Sequence, residues 1–300
     1  GKGKQVEILI NNFARLHNIN SNKLVDIANC TDGIFASCRL VLNKFGKNSK
    51  VIIPSISFPA VGSAVLDNNL KPLIVGVDSK SLCIEPKTIE KILMSKSKVA
   101  AVFLTNYGGF NPYIEKIASI CKKNQILLIE DAACTPYAKI NNKSLGTYGD
   151  IGIWSFDSMK IISGGDGGLA YIRNPSLKKE FREHTYLGLQ DNKNRSGLVG
   201  SKKLNRWWEY SIKSIGRRSI LNDISASLIN NQLKRIDKII LERKKIYDFY
   251  QKELIKIPQI TLTNPYNNFD KKNFSSYYFY FAYFEKRDKL ANFLKKNKIY

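Results

Sequence analysis

Four side chains between residues 127 and 169 have the types and spacing of a site for covalent chemistry. Glu130 and Asp131 end one apolar run, and Ser155 lies near the end of the next. Lys160 follows Ser155 by five residues. Apolar runs of this length predict buried parallel strands, and open α/β folds bind ligands at the carboxyl ends of such strands. We therefore expect these side chains to meet at one edge of a sheet.

The surroundings of Lys160 suit a nucleophilic amine. It lies between an apolar run and a glycine loop at 164–168, with almost no charge beside it. Burial lowers the pKa of a lysine and frees its amine to attack a carbonyl. Asp131 would keep a pyridinium nitrogen protonated, and Ser155 would bind a phosphate. The set suggests a pyridoxal phosphate pocket, but an ordinary α/β domain with a strand-end acid and a surface lysine fits the spacing equally well.

The motifs around these residues resemble those of the DegT/DnrJ/EryC1/StrS family. They read IEDAA, then G-D-I-G-x-W-S-F-D-x-M-K, then G-G-D-G-G, and the similarity covers nearly the whole chain. Members are pyridoxal phosphate-dependent sugar aminotransferases of the aspartate aminotransferase fold, fold type I. The resemblance implies that Lys160 forms the Schiff base, Asp131 pairs with the pyridine nitrogen and Ser155 binds the phosphate.

The same resemblance extends to the region upstream. Asn29 to Gly33 opens a predicted helix whose free N–H groups suit an anion, and the family holds the phosphate here with a G-T motif. Thr31 is kept and Asp32 follows it, but Cys30 replaces the glycine. A plain helix cap is the alternative for Thr31 and Asp32. Phe58 resembles the aromatic residue that stacks on the pyridine ring, with core packing as its alternative.

Two further positions depart from the family pattern. Cys134 stands where many members carry Gln or His near the phenolic oxygen of the cofactor. For Cys30 and Cys134, a role as small buried fillers is favoured over a position near the cofactor. Arg218 aligns with an Asn that crosses to the partner subunit and binds its phosphate, and a guanidinium suits that role. The resemblance thus implies a homodimer with composite active sites, while surface charge is the alternative for Arg217 and Arg218.

The resemblance also implies the reaction. Family members mostly transfer nitrogen from glutamate to a keto group of a nucleotide-activated deoxysugar, in polysaccharide or related sugar biosynthesis. Related dehydratases carry His in place of the lysine, so Lys160 argues against that branch. The alternative is a non-catalytic regulatory or nucleic acid-binding protein on the same fold. A formal net charge of +23 favours it weakly, because the basic residues are spread along the chain rather than massed.

Composition places the chain among globular proteins. Its 300 residues are 43% hydrophobic, without an apolar run of about 18 residues for a membrane span or a signal-peptide core. The five scattered cysteines form no C-x-x-C pair, which argues against a zinc site and for reduced thiols in the cytoplasm. We expect no nucleic-acid or membrane partner, and a native protein longer at both ends.

Alternating apolar and amphipathic segments predict an α/β fold with a mostly parallel central sheet and helices on both faces. Residues 1–240 form the expected large domain, and 241–300 the start of a truncated, small C-terminal α+β domain. Residues 222–254 are expected to be one helix, 275–284 an edge strand and 168–173 the strand that closes the sheet. Asn106 and Tyr107 are expected to line the substrate side. A polar loop at 187–206 and the pair Trp207-Trp208 are assigned to a pocket wall or an interface.

Overall fold

The computed structural model describes residues 3–189, 211–263 and 272–299. The long loop and the tryptophan pair predicted from the sequence lie almost entirely outside these residues. The strands are β1 Leu24–Ile27, β2 Lys50–Pro54, β3 Lys71–Val75, β4 Val99–Thr105, β5 Leu127–Asp131, β6 Lys139–Ile140, β7 Lys143–Ser144, β8 Ile151–Ser155, β9 Gly168–Ile172, β10 Ile260–Leu262 and β11 Ala282–Phe284. The helices are α1 Lys4–His17, α2 Cys30–Phe45, α3 Ala60–Asp67, α4 Pro86–Met94, α5 Ile114–Lys123, α6 Pro175–Thr185, α7 Asp223–Leu233, α8 Ile236–Leu254 and α9 Arg287–Lys296.

A seven-stranded sheet, in the order β1-β9-β8-β5-β4-β2-β3, forms the centre of the described chain. Pairs along β8, β5, β4, β2 and β3 are parallel, whereas β9 is antiparallel to both of its neighbours. The mostly parallel sheet is therefore confirmed. The prediction that 168–173 closes the sheet is wrong, because β9 is an inner strand and β1 lies at the edge. Four residues are too few for β1 to show a clear strand period.

Each face of the sheet carries its own hydrophobic core. One core joins the sheet to α1, α4, α5 and α7, and the other joins it to α2, α3 and α6. The approach of α2 depends on Gly33, where a Cβ atom would lie 2.7 Å from Ile27 Cδ1 and 2.9 Å from Ile153 Cγ2. The first turn of α2 lies directly on β1 and β8, and this close contact is possible because residue 33 is glycine.

Two elements beyond the sheet differ from the sequence prediction. The single helix expected at 222–254 is two helices, α7 and α8, separated at residues 234–235. No proline or glycine marks the break. Tertiary bonds on its two sides hold the helices to different places, since Gln232 binds Ser163 and Asp237 accepts a hydrogen bond from Tyr137.

The edge strand expected at 275–284 is confined to β11, which pairs with β10. Residues 275–280 instead bond to the backbone of 108–109, and Tyr277 has a left-handed φ of 48° that interrupts a strand. In the described part of the chain, no helix is both long enough and apolar enough to cross a membrane.

Candidate active site

The buried acids at the end of β5 face opposite sides of the sheet, because successive strand residues alternate. Asp131 is 4% exposed and lies on the α2 side, where its Oδ1 accepts the Ala133 N–H at 3.1 Å. Burial raises the pKa of Asp131, while the Ala133 N–H and the Lys160 charge act against that rise. Asp131 is thus a desolvated carboxylate, and a cationic partner would stabilise its charged form.

Glu130 stabilises the fold through buried hydrogen bonds and is not available to the pocket. Its carboxylate is fully buried and accepts the backbone N–H groups of Gly146 and Gly149, both at 2.7 Å. It also accepts a hydrogen bond from Asn106 Nδ2 at 3.2 Å. The expectation that Asn106 lines the substrate side is therefore wrong, because its amide is turned inward and also bonds Asn111 through Oδ1. Only one of the two strand-end acids remains for chemistry.

Lys160 lies half-buried in the turn after β8, where its backbone N–H bonds Asp157 O at 3.0 Å. Its Nζ donates to the Tyr278 hydroxyl at 3.4 Å and lies 5.0 Å from the centre of the Tyr278 ring. Burial acts to lower the pKa of Lys160, as the sequence predicted. Interactions with Cys134, Tyr278 and Asp131 outweigh burial, so the pKa is raised and the amine is an ammonium in the free protein.

Two thiols complete this group. Cys30, the first residue of α2, is 8% exposed, and Cys134 is 7% exposed. Burial raises the pKa of Cys134 to about 12 even though Lys160 acts to lower it. Burial likewise raises the pKa of Cys30, which interacts with Asp131, Lys160 and Cys134. Both residues are neutral thiols at neutral pH, and both interact with Asp131 and Lys160.

The first turn of α2 brings together the residues predicted to hold a phosphate. Asn29 caps the helix by accepting the Asp32 N–H at 2.8 Å, and Thr31 follows Cys30 with its side chain partly exposed. The helix cap is therefore Asn29, not Thr31 or Asp32. Asp32 pairs instead with Arg217, whose Nη1 lies 3.6 Å from Asp32 Oδ1. A cleft of about 220 Å³ opens beside Asp32 and Arg217.

The remaining predicted residues are placed as follows. Ser155 ends β8, is 5% exposed, and accepts a long hydrogen bond of 3.4 Å from the Asp157 N–H. Phe58 is 64% exposed and makes no ring contact with the described aromatic residues, so core packing does not account for it. Arg218 is exposed beside the buried Ser219, and its backbone forms a bridge with Tyr186. Neither Phe58 nor Arg218 has a described contact with Lys160.

The glycine loop after Lys160 is fixed from α7. Gln232 makes a reciprocal pair with the backbone of Ser163, accepting its N–H at 3.0 Å and donating to its carbonyl at 2.8 Å. Gly164 has no room for a side chain, because a Cβ atom would lie 2.8 Å from Ile229 and 2.9 Å from Ser225 O. The loop therefore packs backbone against helix, which holds Lys160 in a defined place.

Tyr278 is the residue of this group that sequence reasoning missed. The run SSYYFYFAYF has the composition of a strand, and nothing in its pattern marks one tyrosine as special. Tyr107, which the sequence did assign to this side, interacts with Cys134, Tyr278 and Lys160, and burial raises its pKa. Its ring also meets Phe279 edge to face at 5.0 Å. The group is thus Asp131, Lys160, two thiols and two tyrosines.

The chain is similar to known aminotransferases over its full length. The model of the DegT/DnrJ/EryC1/StrS aminotransferase family matches residues 1–300. The chain is 31% identical over 302 residues to dTDP-4-dehydro-2,3,6-trideoxy-D-glucose 4-aminotransferase of Saccharopolyspora spinosa, covering 100% of this chain and 76% of that protein. It is 24% identical over 253 residues to GDP-perosamine synthase of Vibrio cholerae, covering 84% and 64% of the two chains.

The crystal structure of the aminotransferase TlmJ from Streptoalloteichus hindustanus is also similar. It matches with a TM-score of 0.88 and 30% identity, over 99% of this chain and 76% of that one. This match confirms the predicted fold. Because the family model matches the full chain, the chain belongs to the DegT/DnrJ/EryC1/StrS aminotransferase family.

Proposed function

We propose that this aminotransferase moves an amino group from glutamate to a keto group of a nucleotide-activated deoxysugar, in cell-surface polysaccharide or related sugar biosynthesis. The observation that carries the proposal is the electrostatic interaction between the Lys160 ammonium and the buried Asp131 carboxylate, in a chain of an aminotransferase family. The names of the two curated relatives add support, since both refer to sugars. The five cysteines are free and buried, which supports a reducing, cytoplasmic location.

The residues present fit pyridoxal phosphate. Asp131 uses Oδ1 for the Ala133 N–H, and Oδ2 carries no hydrogen bond from a described residue. A protonated pyridine nitrogen would give this buried carboxylate the cationic partner that its desolvation calls for. When bound, the cofactor supplies an electron sink that makes the α-proton of the donor amino acid acidic. Asp131 would hold the proton on the ring nitrogen throughout.

Lys160 is proposed to have two roles. Its amine would hold the cofactor covalently and, as a free amine, would move a proton between the donor's α-carbon and the cofactor's carbon. A base in this role must lie close to the proton it moves, and the turn that carries Lys160 is held by Gln232. Phe58 would stack on the pyridine ring, and Cys134 would lie near its phenolic oxygen. Removal of Lys160 would abolish both roles at once.

The phosphate would lie at the N-terminus of α2. Thr31 offers a hydroxyl and a free N–H in the first turn, where the helix dipole favours an anion. Ser155 is carried by β8, on which that turn packs. The N–H of Asp32 already bonds Asn29 and its carboxylate is opposed by Arg217 at 3.6 Å, so Asp32 would shape the turn rather than bind the phosphate directly. Arg218, exposed on its own subunit, would reach the phosphate of a partner, so the proposed enzyme is a homodimer with composite sites.

The two half-reactions test the proposed substrates separately. The full-length protein with pyridoxal phosphate is mixed with glutamate, and formation of pyridoxamine phosphate is followed by absorbance. Keto sugars are then added with and without a nucleotide, alongside free keto acids. We expect the nucleotide sugars to restore the original spectrum fastest, with a rate that falls as salt screens the basic surface. If free keto acids restore it as fast, the sugar proposal is wrong.

A further inference from the structure

Tyr278 meets Lys160 in two ways at once. Its hydroxyl oxygen lies 3.4 Å from Lys160 Nζ, in position to accept a hydrogen bond. Its ring centre lies 5.0 Å from the same nitrogen, within the range of an attractive cation–π contact. The hydroxyl contact favours a nitrogen at the edge of the ring, and the ring contact favours a nitrogen over its face. Together the two contacts restrict both the position and the orientation of the Lys160 ammonium.

The backbone around Tyr278 is fixed from two other elements. Its N–H donates to Gly108 O at 3.1 Å, and the Ser276 N–H donates to Gly109 O at 3.1 Å. Arg243 of α8 donates to Tyr277 O at 2.8 Å through Nε and to Tyr278 O through Nη2. Gly109 has a φ of 101°, and a Cβ atom there would lie 3.2 Å from the Tyr278 nitrogen, so a residue other than glycine would be strained at this position. Tyr278 is therefore presented to Lys160 by a rigid support.

We propose that Tyr278 is a positioning residue for Lys160, whose hydroxyl and ring hold the lysine nitrogen in the direction of Asp131 and Cys134. This role rests on the proposed function, in which Lys160 is the reactive amine. The hydroxyl would accept a hydrogen bond from the nitrogen whenever Lys160 is charged. It would thereby keep the side chain at the reaction centre during the interval in which the donor has displaced it from the cofactor.

The hydroxyl is one of several groups that act on Lys160. Cys134, Tyr278 and Asp131 all favour the ammonium, and Cys30 and Tyr107 interact with it across the same pocket. Replacing Tyr278 by Phe removes the hydrogen-bond acceptor and keeps the ring. The remaining groups are unchanged, so the pKa of Lys160 should fall toward its ordinary value without loss of the packing.

The test compares Tyr278→Phe with Tyr280→Phe in the full-length protein before pyridoxal phosphate is added. Tyr280 is a matched control, because it lies in the same segment and its buried hydroxyl has no hydrogen-bond partner in the described chain. Lys160 is acetylated with acetic anhydride between pH 7 and pH 11, and peptide mass spectrometry gives its rate. We expect Tyr278→Phe to shift the midpoint down by about half a pH unit, which makes Lys160 about threefold more reactive below the midpoint.

Tyr280→Phe should leave the profile of Lys160 unchanged, and circular dichroism should show both variants folded. Identical profiles for Tyr278→Phe and the unaltered protein would overturn the role of Tyr278. A shifted profile together with a lower kcat at unchanged KM for the transfer reaction would support it. The acetylation profile requires no cofactor, so its outcome is independent of whether Lys160 proves to be the residue that binds pyridoxal phosphate.

Discussion

Glu130 and Asp131 are adjacent in the chain, yet one organises a turn and the other faces the reactive lysine. Strand alternation is enough to separate them, but the sequence alone does not tell which of the two faces the pocket. That choice depends on which side of the sheet α2 covers. The resemblance to the family assigned the role to Asp131, and the burial of Glu130 among backbone N–H donors leaves only its neighbour for the proposed contact with the cofactor.

Glu130→Ala should destabilise the protein strongly. Three donors, the N–H groups of Gly146 and Gly149 and the amide of Asn106, would lose their acceptor in a buried place. We expect the free energy of unfolding to fall by about 2–4 kcal/mol. Urea unfolding measures it, and Glu90→Ala, at a partly exposed position, serves as control with a change below about 0.5 kcal/mol. Equal effects for the two variants would contradict a structural role for Glu130.

His17 should make stability depend on pH. It packs between Phe13 and Trp154, with ring centres 4.1 Å and 5.0 Å away. Burial, together with the Lys139 charge, lowers its pKa to about 3, and the Pro136 backbone offsets this only in part. His17 is therefore protonated below about pH 6.5 in the unfolded chain, but only below about pH 3 in the folded chain.

The stabilisation is complete above pH 6.5 and is lost as the pH falls toward 3. At pH 5 the loss from this residue should be about 2 kcal/mol. His17→Leu, of similar volume and without a titrating group, should remove that part of the decline. Urea unfolding at pH 5 and at pH 7 measures it. An unchanged difference between the two pH values in His17→Leu would show that the histidine is already charged in the folded protein.

At the scale of elements, α7 supports the loop that carries Lys160. Gln232→Ala removes both hydrogen bonds to the Ser163 backbone. We expect a loss of about 1–2 kcal/mol in stability and faster hydrogen exchange of the Ser163 amide. Asn231→Ala, on the exposed side of the same helix, is the matched control and should change neither. Unaltered exchange at Ser163 in Gln232→Ala would mean that the glycine loop holds itself without the helix.

The elements that the sequence predicted well are those with long, regular patterns. The apolar runs that became β5 and β8 are buried throughout and that of β4 is buried after its first residue, and their order along the chain placed Asp131 and Ser155 at strand ends. The four-residue β1, the break between α7 and α8, and the path of residues 275–280 were not predictable. Each is decided by contacts with distant residues, such as Ser276 with Gly109, which leave no local signal.

At the scale of the whole molecule, the proposed dimer makes the cofactor site dependent on a second subunit. Apolar side chains of α7 face solvent, with Ile224 79% and Leu228 52% exposed, and Ile215 before the helix is 80% exposed. Arg218 lies between Ile215 and Ile224 in the chain. An isologous interface through this surface would bury the apolar residues and carry each Arg218 toward the partner's phosphate site.

Arg218→Ala should therefore weaken retention of pyridoxal phosphate in the full-length protein without dissociating the dimer. We expect a loss of about tenfold in affinity, as for removal of one charge-assisted hydrogen bond. Native mass spectrometry gives the subunit number and the cofactor occupancy together, and Lys213→Ala, also exposed, is the control. A monomer with full cofactor occupancy would rule out the composite site.

The central claim is that Lys160, held beside Asp131, is the residue that binds the cofactor. Borohydride reduction of the full-length protein with pyridoxal phosphate, followed by peptide mapping, tests it most directly. We expect a pyridoxyl group on Lys160 in the unaltered protein and in Lys143→Ala. Lys160→Ala should carry no pyridoxyl group, and its turnover should fall by several orders of magnitude. A pyridoxyl group on any other lysine of the unaltered protein would contradict it.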